Sequence, residues 1–266
     1  QELAACGGLG GGGLLRRGKA GGGGGCGRRR VRFGGRGVAP AAPCAACDVR
    51  DRNFCAALEP HELAELTRIL TEAQVPPHGT LFREGEPADF VMNVTRGAVK
   101  LYKLLADGRR QILGFRFAGD FIGLTPGPDY AYSVEALTET RVCRFARRKL
   151  DLLRERFGRI DKRLLELSVD ELAATQEQLV LLGRKHAEEK LVSFLLLLGL
   201  AQVRRGEPGE PIVLPMNRSD IADYLGLTIE TVSRTLSKFA KQKLIVVTPD
   251  GVRLLNEEKL RILGEL

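Results

Sequence analysis

Three cysteines in one short segment have the residue type and spacing of a metal site. Cys44, Cys47 and Cys55 follow the pattern Cys-x2-Cys-x7-Cys. Three thiolates this close in the chain can surround one soft metal centre, because thiolates suit zinc, copper(I) and iron–sulfur centres. The segment supplies no fourth cysteine. The spacing favours a metal of some kind and leaves open a zinc knuckle with a distant ligand, a redox-active dithiol, or cysteines without a role.

A second group of polar residues, near the C-terminus, has the chemistry needed to contact DNA bases. Glu230, Ser233 and Arg234 are spaced i, i+3 and i+4, which places them on one face of a helix. Arginine can donate two hydrogen bonds to guanine, glutamate can accept one from cytosine, and serine can do either. A solvated helix face with the same residues is the alternative interpretation, and the flanking elements decide against it.

These flanking residues predict a helix-turn-helix. Asn217 or Ser219 can cap a first helix with the apolar face Ile221, Ala222 and Leu225, and Gly226 supplies the positive φ that ends it. Thr228 caps a second helix, and a Pro-Asp-Gly turn at 249–251 predicts a hairpin that forms the wing. The predicted buried stripe of the second helix is Ile229, Val232, Leu236 and Phe239. The predicted DNA contacts are Ser219, Thr228, Glu230, Thr231, Ser233 and Arg234.

Short apolar runs separated by glycines occupy the region between the two polar groups. Strands of this length and spacing predict a small antiparallel barrel, preceded by a short helix over 61–70. Cys143 lies in the last predicted strand, where a lone cysteine is usually a small core residue. The predicted strands are 90–94, 98–104, 111–117, 121–124, 132–137 and 141–145.

One continuous helix is predicted from about Asp161 to Val203. Leu165, Leu172 and Leu179 recur every seven residues, which is a coiled-coil pattern. An amphipathic helix packed on its own barrel is the alternative. A dimerising helix is favoured, because a helix-turn-helix protein normally needs a partner to contact the second half-site. The other predicted positions of this coiled-coil seam are Val169, Gln176 and Leu182.

Composition narrows the class of protein. The net charge of +8 favours an anionic partner, although much of the excess lies in the first 40 residues, whose glycine and arginine content predicts a disordered leader. We assign no role to Cys6 and Cys26 within this leader. No apolar run is long enough to span a membrane, and we expect a protein of the reducing cytosol. Nucleotide-binding and catalytic motifs are absent, so the sequence does not predict an enzyme.

The run Leu225-Gly-Leu-Thr-Ile-Glu-Thr-Val-Ser-Arg234 closely resembles the recognition element of the CRP/FNR transcription regulators, and Glu-x-x-Ser-Arg is typical of the FNR branch. The resemblance extends from about Cys44 to the C-terminus. It implies an α+β fold with an N-terminal double-stranded β-roll like that of cyclic-nucleotide-binding proteins, a long dimerisation helix and a C-terminal winged helix-turn-helix. The corresponding domains are the leader 1–40, the cysteine segment and β-roll 41–150, the dimerisation helix 151–203 and the DNA-binding domain 204–266.

The resemblance also implies a cofactor. FNR-type regulators hold a 4Fe-4S cluster with three N-terminal cysteines and one in the last barrel strand, and Cys44, Cys47, Cys55 and Cys143 match those positions. The gap of seven residues before Cys55 exceeds the five of enteric members and is similar to that of a longer-spaced branch. Val49 and Phe54 could limit water access to such a cluster.

The resemblance further implies a function and its partners. The protein would be a transcription regulator of the anaerobic response that senses oxygen through its cluster and binds, as a homodimer, a palindrome of the type TTGAT-N4-ATCAA. RNA polymerase would be a further partner, and no membrane is involved. The alternatives are the same regulator with a thiol-redox or zinc-structured sensor and, from another class, an iron–sulfur electron carrier or enzyme.

A cyclic nucleotide is not expected in the β-roll. Binders of such nucleotides carry a Gly-Glu-Leu turn and an Arg-Ser pair that clamps the phosphate. The corresponding residues here are Ile-Gly-Leu-Thr at 122–125 and Ala-Tyr-Ser-Val at 131–134. No arginine in these segments is placed to pair with a cyclic phosphate.

Overall fold

Eight strands form two four-stranded antiparallel sheets. The structure is a computed structural model, and it describes Cys44 and residues 47–265. The strands are β1 (Leu70–Val75), β2 (Thr80–Phe82), β3 (Phe90–Arg96), β4 (Ala98–Leu104), β5 (Arg110–Phe117), β6 (Phe121–Ile122), β7 (Ser133–Ala136) and β8 (Thr140–Ala146). One sheet has the order β1-β8-β3-β6 and the other β2-β7-β4-β5. The two sheets together form the predicted β-roll.

The strands β3 to β8 confirm the six predicted strands, whereas β1 and β2 were not predicted. The sequence of β1, Leu-Thr-Glu-Ala-Gln-Val, contains three polar residues and lies at a sheet edge, where only Val75 is buried. Such an edge strand shows little hydrophobic alternation. The predicted leader of residues 1–40, with Cys6 and Cys26, lies outside the described residues.

Fully buried valines from both sheets, including Val94, Val99 and Val134, fill the core of the β-roll. The tight connection between β3 and β4 depends on Gly97, which has φ +86°. A Cβ atom at this position would lie 2.4 Å from the carbonyl oxygen of Glu139. Glycine is therefore required here for both backbone conformation and space.

Four helices precede the DNA-binding region, and they correct one prediction. The continuous helix predicted from about Asp161 to Val203 is wrong, because the chain turns out of the helix at Lys185 and His186. The backbone N–H of His186 donates to Glu189 Oε2 at 2.8 Å and so begins a new helix. These helices are α1 (Pro60–Ile69), α2 (Arg147–Arg156), α3 (Arg159–Arg184) and α4 (Ala187–Arg204).

The long helix α3 has two apolar faces. Ile160, Leu164 and Leu181 are buried against the same chain. The predicted seam lies on the other face, and four of its six positions are apolar residues with 56–66% exposure, namely Leu165, Val169, Leu172 and Leu179. Leu182 departs from this pattern, since it packs partly against the core of the DNA-binding region. The helix therefore both packs on its own chain and presents an apolar stripe to solvent.

The C-terminal region is a winged helix-turn-helix, as predicted. It contains β9 (Ile212–Val213), α5 (Arg218–Leu225), α6 (Ile229–Lys241), β10 (Ile245–Thr248), β11 (Gly251–Leu254) and α7 (Glu257–Gly264). The wing is the antiparallel pair β10 and β11, and β9 adds a third strand beside β11. Leu191 and Leu195 of α4 pack in the same core as Leu225 and Phe239. None of the helices among the described residues combines the length and hydrophobicity that a membrane crossing requires.

A buried group of charged residues joins the β-roll to α5. Lys100 Nζ of β4 lies 2.9 Å from Asp220 Oδ1 of α5 and 3.0 Å from Glu135 Oε1 of β7. Arg110 of β5 contacts both Asp220 and Asp223 at 2.9 Å or less. The side chains of Lys100 and Asp220 are only 4% and 2% exposed. The first helix of the helix-turn-helix is thus held against the β-roll by ion pairs centred on the buried residues Lys100 and Asp220.

Candidate DNA-binding surface and cysteine site

Local capping interactions set the geometry of the helix-turn-helix. The side chain of Asn217 accepts a hydrogen bond from the backbone N–H of Asp220 at 2.8 Å, so Asn217 is the N-cap of α5 and Ser219 lies inside the helix. Gly226 ends α5 in the left-handed conformation, with φ +61°. Thr228 then caps α6 by accepting from the backbone N–H of Thr231 at 3.2 Å. The turn between the two helices is therefore determined by local sequence.

Helix α6 buries most of its predicted apolar stripe and exposes the opposite, polar face. Val232, Leu236 and Phe239 are buried. Ile229, which was predicted to belong to this stripe, is 46% exposed, so that prediction is wrong. Ile229 is the first residue of α6, and its side chain lies at the surface.

The predicted base-contacting residues lie together on the accessible face of α6. Glu230 and Arg234 are exposed and Ser233 is half-buried. The backbone N–H of Glu230 itself and the hydroxyl of Thr228 hold the pKa of the Glu230 carboxyl below its usual range. The carboxylate is therefore ionised at neutral pH and acts only as an acceptor, which suits a cytosine amino group.

Arg218 is a functional candidate that the sequence did not single out. It is the first residue of α5, and its Nη1 donates to Ser233 Oγ of α6 at 3.2 Å. The arginine thereby orients one of the predicted base-contacting side chains. Helical spacing gave no indication of this contact, because the two residues belong to different helices.

Basic residues extend the exposed face of α6 towards its C-terminus. A shallow concavity of about 570 Å³ lies along this face. Lys238 also pairs with Glu188 of α4, at 2.5 Å. The cationic side chains are of the kind that contact DNA phosphates and fix the orientation of a helix in the groove. The residues that line the concavity are Ser233, Arg234, Ser237, Lys238, Lys241 and Gln242.

All four predicted ligand cysteines line one cavity of about 590 Å³: Cys44, Cys47, Cys55 and Cys143. Cys55 lies in a 3₁₀ turn, Phe54–Ala57, and Cys143 in the middle of β8. Cys44 and Cys55 are buried, while Cys47 and Cys143 are half-buried, and all four are free thiols. The fold therefore brings a cysteine of the β-roll to three that precede it by about ninety residues or more in the chain.

Aromatic packing and one asparagine hold the cysteine segment in place. Phe54 is fully buried, and its ring makes edge contacts with Phe121 and Phe145 at centroid distances of 5.4 and 5.3 Å. The side chain of Asn53 accepts from the backbone N–H of Cys55 at 2.9 Å and donates to the carbonyl of Val49 at 3.0 Å. Val49 is also buried, so both residues that were predicted to limit water access lie in the protein interior.

Burial favours the protonated form of three of the thiols, those of Cys44, Cys55 and Cys143. It raises the pKa of Cys44 and Cys55 above the usual thiol range, and that of Cys143 to about 12. The neighbouring thiols and Glu72 add to this effect at Cys143. No group of three or more His, Cys, Asp or Glu side chains within the described part of the chain is arranged to hold a metal ion. Because metals bind thiolates, loading the site with a metal would require these buried thiols to lose their protons.

The cysteine segment also contacts the end of α4. Arg52, which lies between Cys47 and Cys55, donates through Nη1 to the carbonyl oxygen of Arg205. The guanidinium of Arg205 in turn lies 4.2 Å from the centre of the Phe117 ring in β5. A chain of direct contacts thus connects the cysteine site, the β-roll and the helix that packs in the DNA-binding core.

The turn that would face a cyclic nucleotide has internal partners. Arg147 donates to the carbonyl oxygens of Thr125 and Gly127, at 2.6 and 3.1 Å. A cavity of about 820 Å³ lies between this turn and α3, and Arg52 and Arg116 are among its lining residues. Because this cavity contains arginines, the structure does not test the expectation that no cyclic nucleotide binds, and that expectation stays a prediction.

The chain matches two family models, one for each half of this architecture. The Crp-like helix-turn-helix domain matches residues 189–263, and the cyclic nucleotide-binding domain matches residues 72–157. The chain is also 42% identical over 218 residues to the transcriptional activatory protein AadR of Rhodopseudomonas palustris, an alignment that covers 82% of this chain and 91% of the relative. It belongs to the CRP/FNR family of transcription regulators.

Further relatives place this CRP/FNR regulator in the FNR-type branch. It is 36% identical over 225 residues to the transcriptional activator protein FnrL of Cereibacter sphaeroides, covering 80% of this chain and 91% of FnrL. The solved structure of FixK2 from Bradyrhizobium japonicum has 37% identity and a TM-score of 0.68, covering 73% of this chain and 97% of FixK2. The regulator is a DNA-binding protein rather than an enzyme, as its relatives are.

Proposed function

We propose that this CRP/FNR regulator controls genes of the anaerobic response by binding a TTGAT-N4-ATCAA-like palindrome, and that a 4Fe-4S cluster makes this binding oxygen-sensitive. Cys44, Cys47, Cys55 and Cys143 would hold the cluster. The observation that carries the proposal is the cavity lined by all four thiols, in a chain that also keeps Glu230 and Arg234 exposed and Ser233 half-buried on α6. A thiol-redox or zinc-structured sensor in the same regulator is the alternative outcome.

The donor set fits an iron–sulfur cluster. Four cysteine thiolates are the usual ligands of such a cluster. When bound, the cluster would supply an oxygen-labile redox centre. The chain itself contributes the buried residues Val49 and Phe54, which would restrict water access to the cluster, and Asn53, which accepts a hydrogen bond from the backbone N–H of Cys55.

The exposed apolar stripe of α3 supports dimerisation of this regulator. Family members are dimeric regulators, and a palindromic site requires two recognition helices related by a two-fold axis. We place the contact on Leu165, Val169, Leu172 and Leu179, whose exposed side chains form an apolar stripe at heptad spacing. The partners are then promoter DNA, a second copy of the chain and RNA polymerase. A regulator of this kind would act in the cytoplasm.

Iron and acid-labile sulfide analysis of protein purified without oxygen tests the sensor. We expect about four of each per chain, and a visible absorbance that bleaches when air is admitted. Zinc in place of iron, or no metal, would contradict the cluster. Such a result would not contradict the DNA-binding function, and the sensor would then be sought in the thiol chemistry of the same four cysteines.

Replacing Arg234 by alanine tests the DNA-binding face. The variant should bind the palindrome about 1–3 kcal/mol more weakly and should discriminate less against scrambled half-sites, because arginine pairs with a guanine edge. The measurement is the dissociation constant for both duplexes at one fixed salt concentration. Lys241→Ala on the same helix is the control, with similar losses expected on both duplexes. A uniform loss for Arg234→Ala as well would assign that residue to the phosphates.

A further inference from the structure

A buried asparagine of the β-roll lies within the cysteine site. Asn93 is the fourth residue of β3 and is 1% exposed. In the sheet it pairs directly with Cys143 of β8 on one side and with Phe121 of β6 on the other. Residues directly opposite each other in antiparallel strands point to the same face of the sheet. Asn93 and Cys143 therefore line the same cavity wall, opposite the cysteine segment.

The side-chain amide of Asn93 is bonded at only one end. Its Nδ2 donates to Cys55 Sγ at 3.5 Å. Its Oδ1 is buried and has no hydrogen-bond partner among the residues that the structure describes. A buried amide that serves the fold normally has partners at both ends, because an unpaired buried acceptor destabilises the folded state. A valine at this position in the strand would lack that penalty.

We propose that Asn93 is a positioning residue of the metal site, which donates a hydrogen bond to the Cys55 sulfur and thereby sets metal retention and resistance to oxygen. This inference rests on the proposed cluster. Donors to ligand sulfur withdraw electron density from it and fix its orientation, and loss of such a partner typically lowers metal affinity or activity about 10–100-fold. The contact of the Asn93 side chain is with the Cys55 sulfur, and its strand pairing places it beside Cys143 on the same face of the sheet.

The matched variants Asn93→Val and Asn93→Thr test this role, because valine and threonine have the same shape and differ by one hydroxyl donor. After anaerobic loading, Asn93→Val should lose iron to a chelator and bleach in air about 10–100-fold faster than the unmodified protein. Asn93→Thr should recover part of that loss. The unfolding temperature of the metal-free Asn93→Val protein should be unchanged or higher. Met92→Leu, on the same strand, controls for a buried substitution.

Three outcomes would overturn the role of Asn93. They are wild-type retention in Asn93→Val, equal losses in the valine and threonine variants, and a loss of retention that merely parallels a lower unfolding temperature. Failure of the cluster itself gives a different result, since the unmodified protein would then take up no iron and sulfide. In that case Zn²⁺ alone is the probe: weaker zinc binding by Asn93→Val would support the role, and equal or absent zinc binding would overturn it.

Discussion

Replacing Asp220 by alanine is expected to lower the free energy of unfolding by about 3–5 kcal/mol, because it removes one partner of a buried ion pair. Lys100 would retain its ion pair with Glu135, and Arg110 would retain its ion pair with Asp223. The substitution also removes the bond from the backbone N–H of Asn217 to the Asp220 carboxylate, which belongs to the capping box of α5. Urea unfolding followed by circular dichroism measures the change.

The same helix supplies a control for Asp220. Asp223 also pairs with Arg110, but its side chain is 29% exposed, whereas that of Asp220 is 2% exposed. A partly exposed pair typically contributes about 0–1 kcal/mol, so Asp223→Ala should change stability little. Equal effects of the two substitutions would show that burial does not decide the contribution of these charges. A double-mutant cycle with Lys100→Met would then measure the coupling of Lys100 to Asp220 directly.

The second large effect is expected from Cys143→Ala, which should abolish uptake of iron and sulfide and, with it, anaerobic binding to the palindrome. Cys143 is the only described cysteine contributed by the β-roll. Without Cys143, only the three cysteines of the N-terminal segment would remain of the four proposed ligands. The side chain is half-buried and alanine is smaller, so the fold should tolerate the change. Metal analysis and a DNA dissociation constant, both measured without oxygen, give the result.

The leader offers a thiol control for Cys143. Cys26→Ala removes one thiol from a segment to which we assign no role in the site, and we expect unchanged metal content and DNA binding. Undiminished anaerobic DNA binding by Cys143→Ala would refute the sensory role of the four cysteines. Loss of DNA binding with an unchanged metal content would instead assign Cys143 to the fold of the β-roll.

The sequence by itself determined the elements that depend on neighbouring residues. Asn217, Gly226 and Thr228 specify the helix-turn-helix through caps and one left-handed residue, and these interactions span at most four positions. The six strands β3 to β8 and the wing follow from short apolar runs and turn residues in the same way. Family resemblance added the four cysteines as a group, which their spacing could not do.

Only the tertiary structure decided which distant residues meet. The contact of Asn93 with Cys55, the pairing of Cys143 with Asn93 and the burial of Lys100 against Asp220 join residues that are 38 to 120 positions apart. The helix break at Lys185 and His186 lies where the chain passes from the exposed stripe of α3 to the core around α4. The spacing of residues along the chain does not predict such contacts, because they depend on how the sheets and helices pack together.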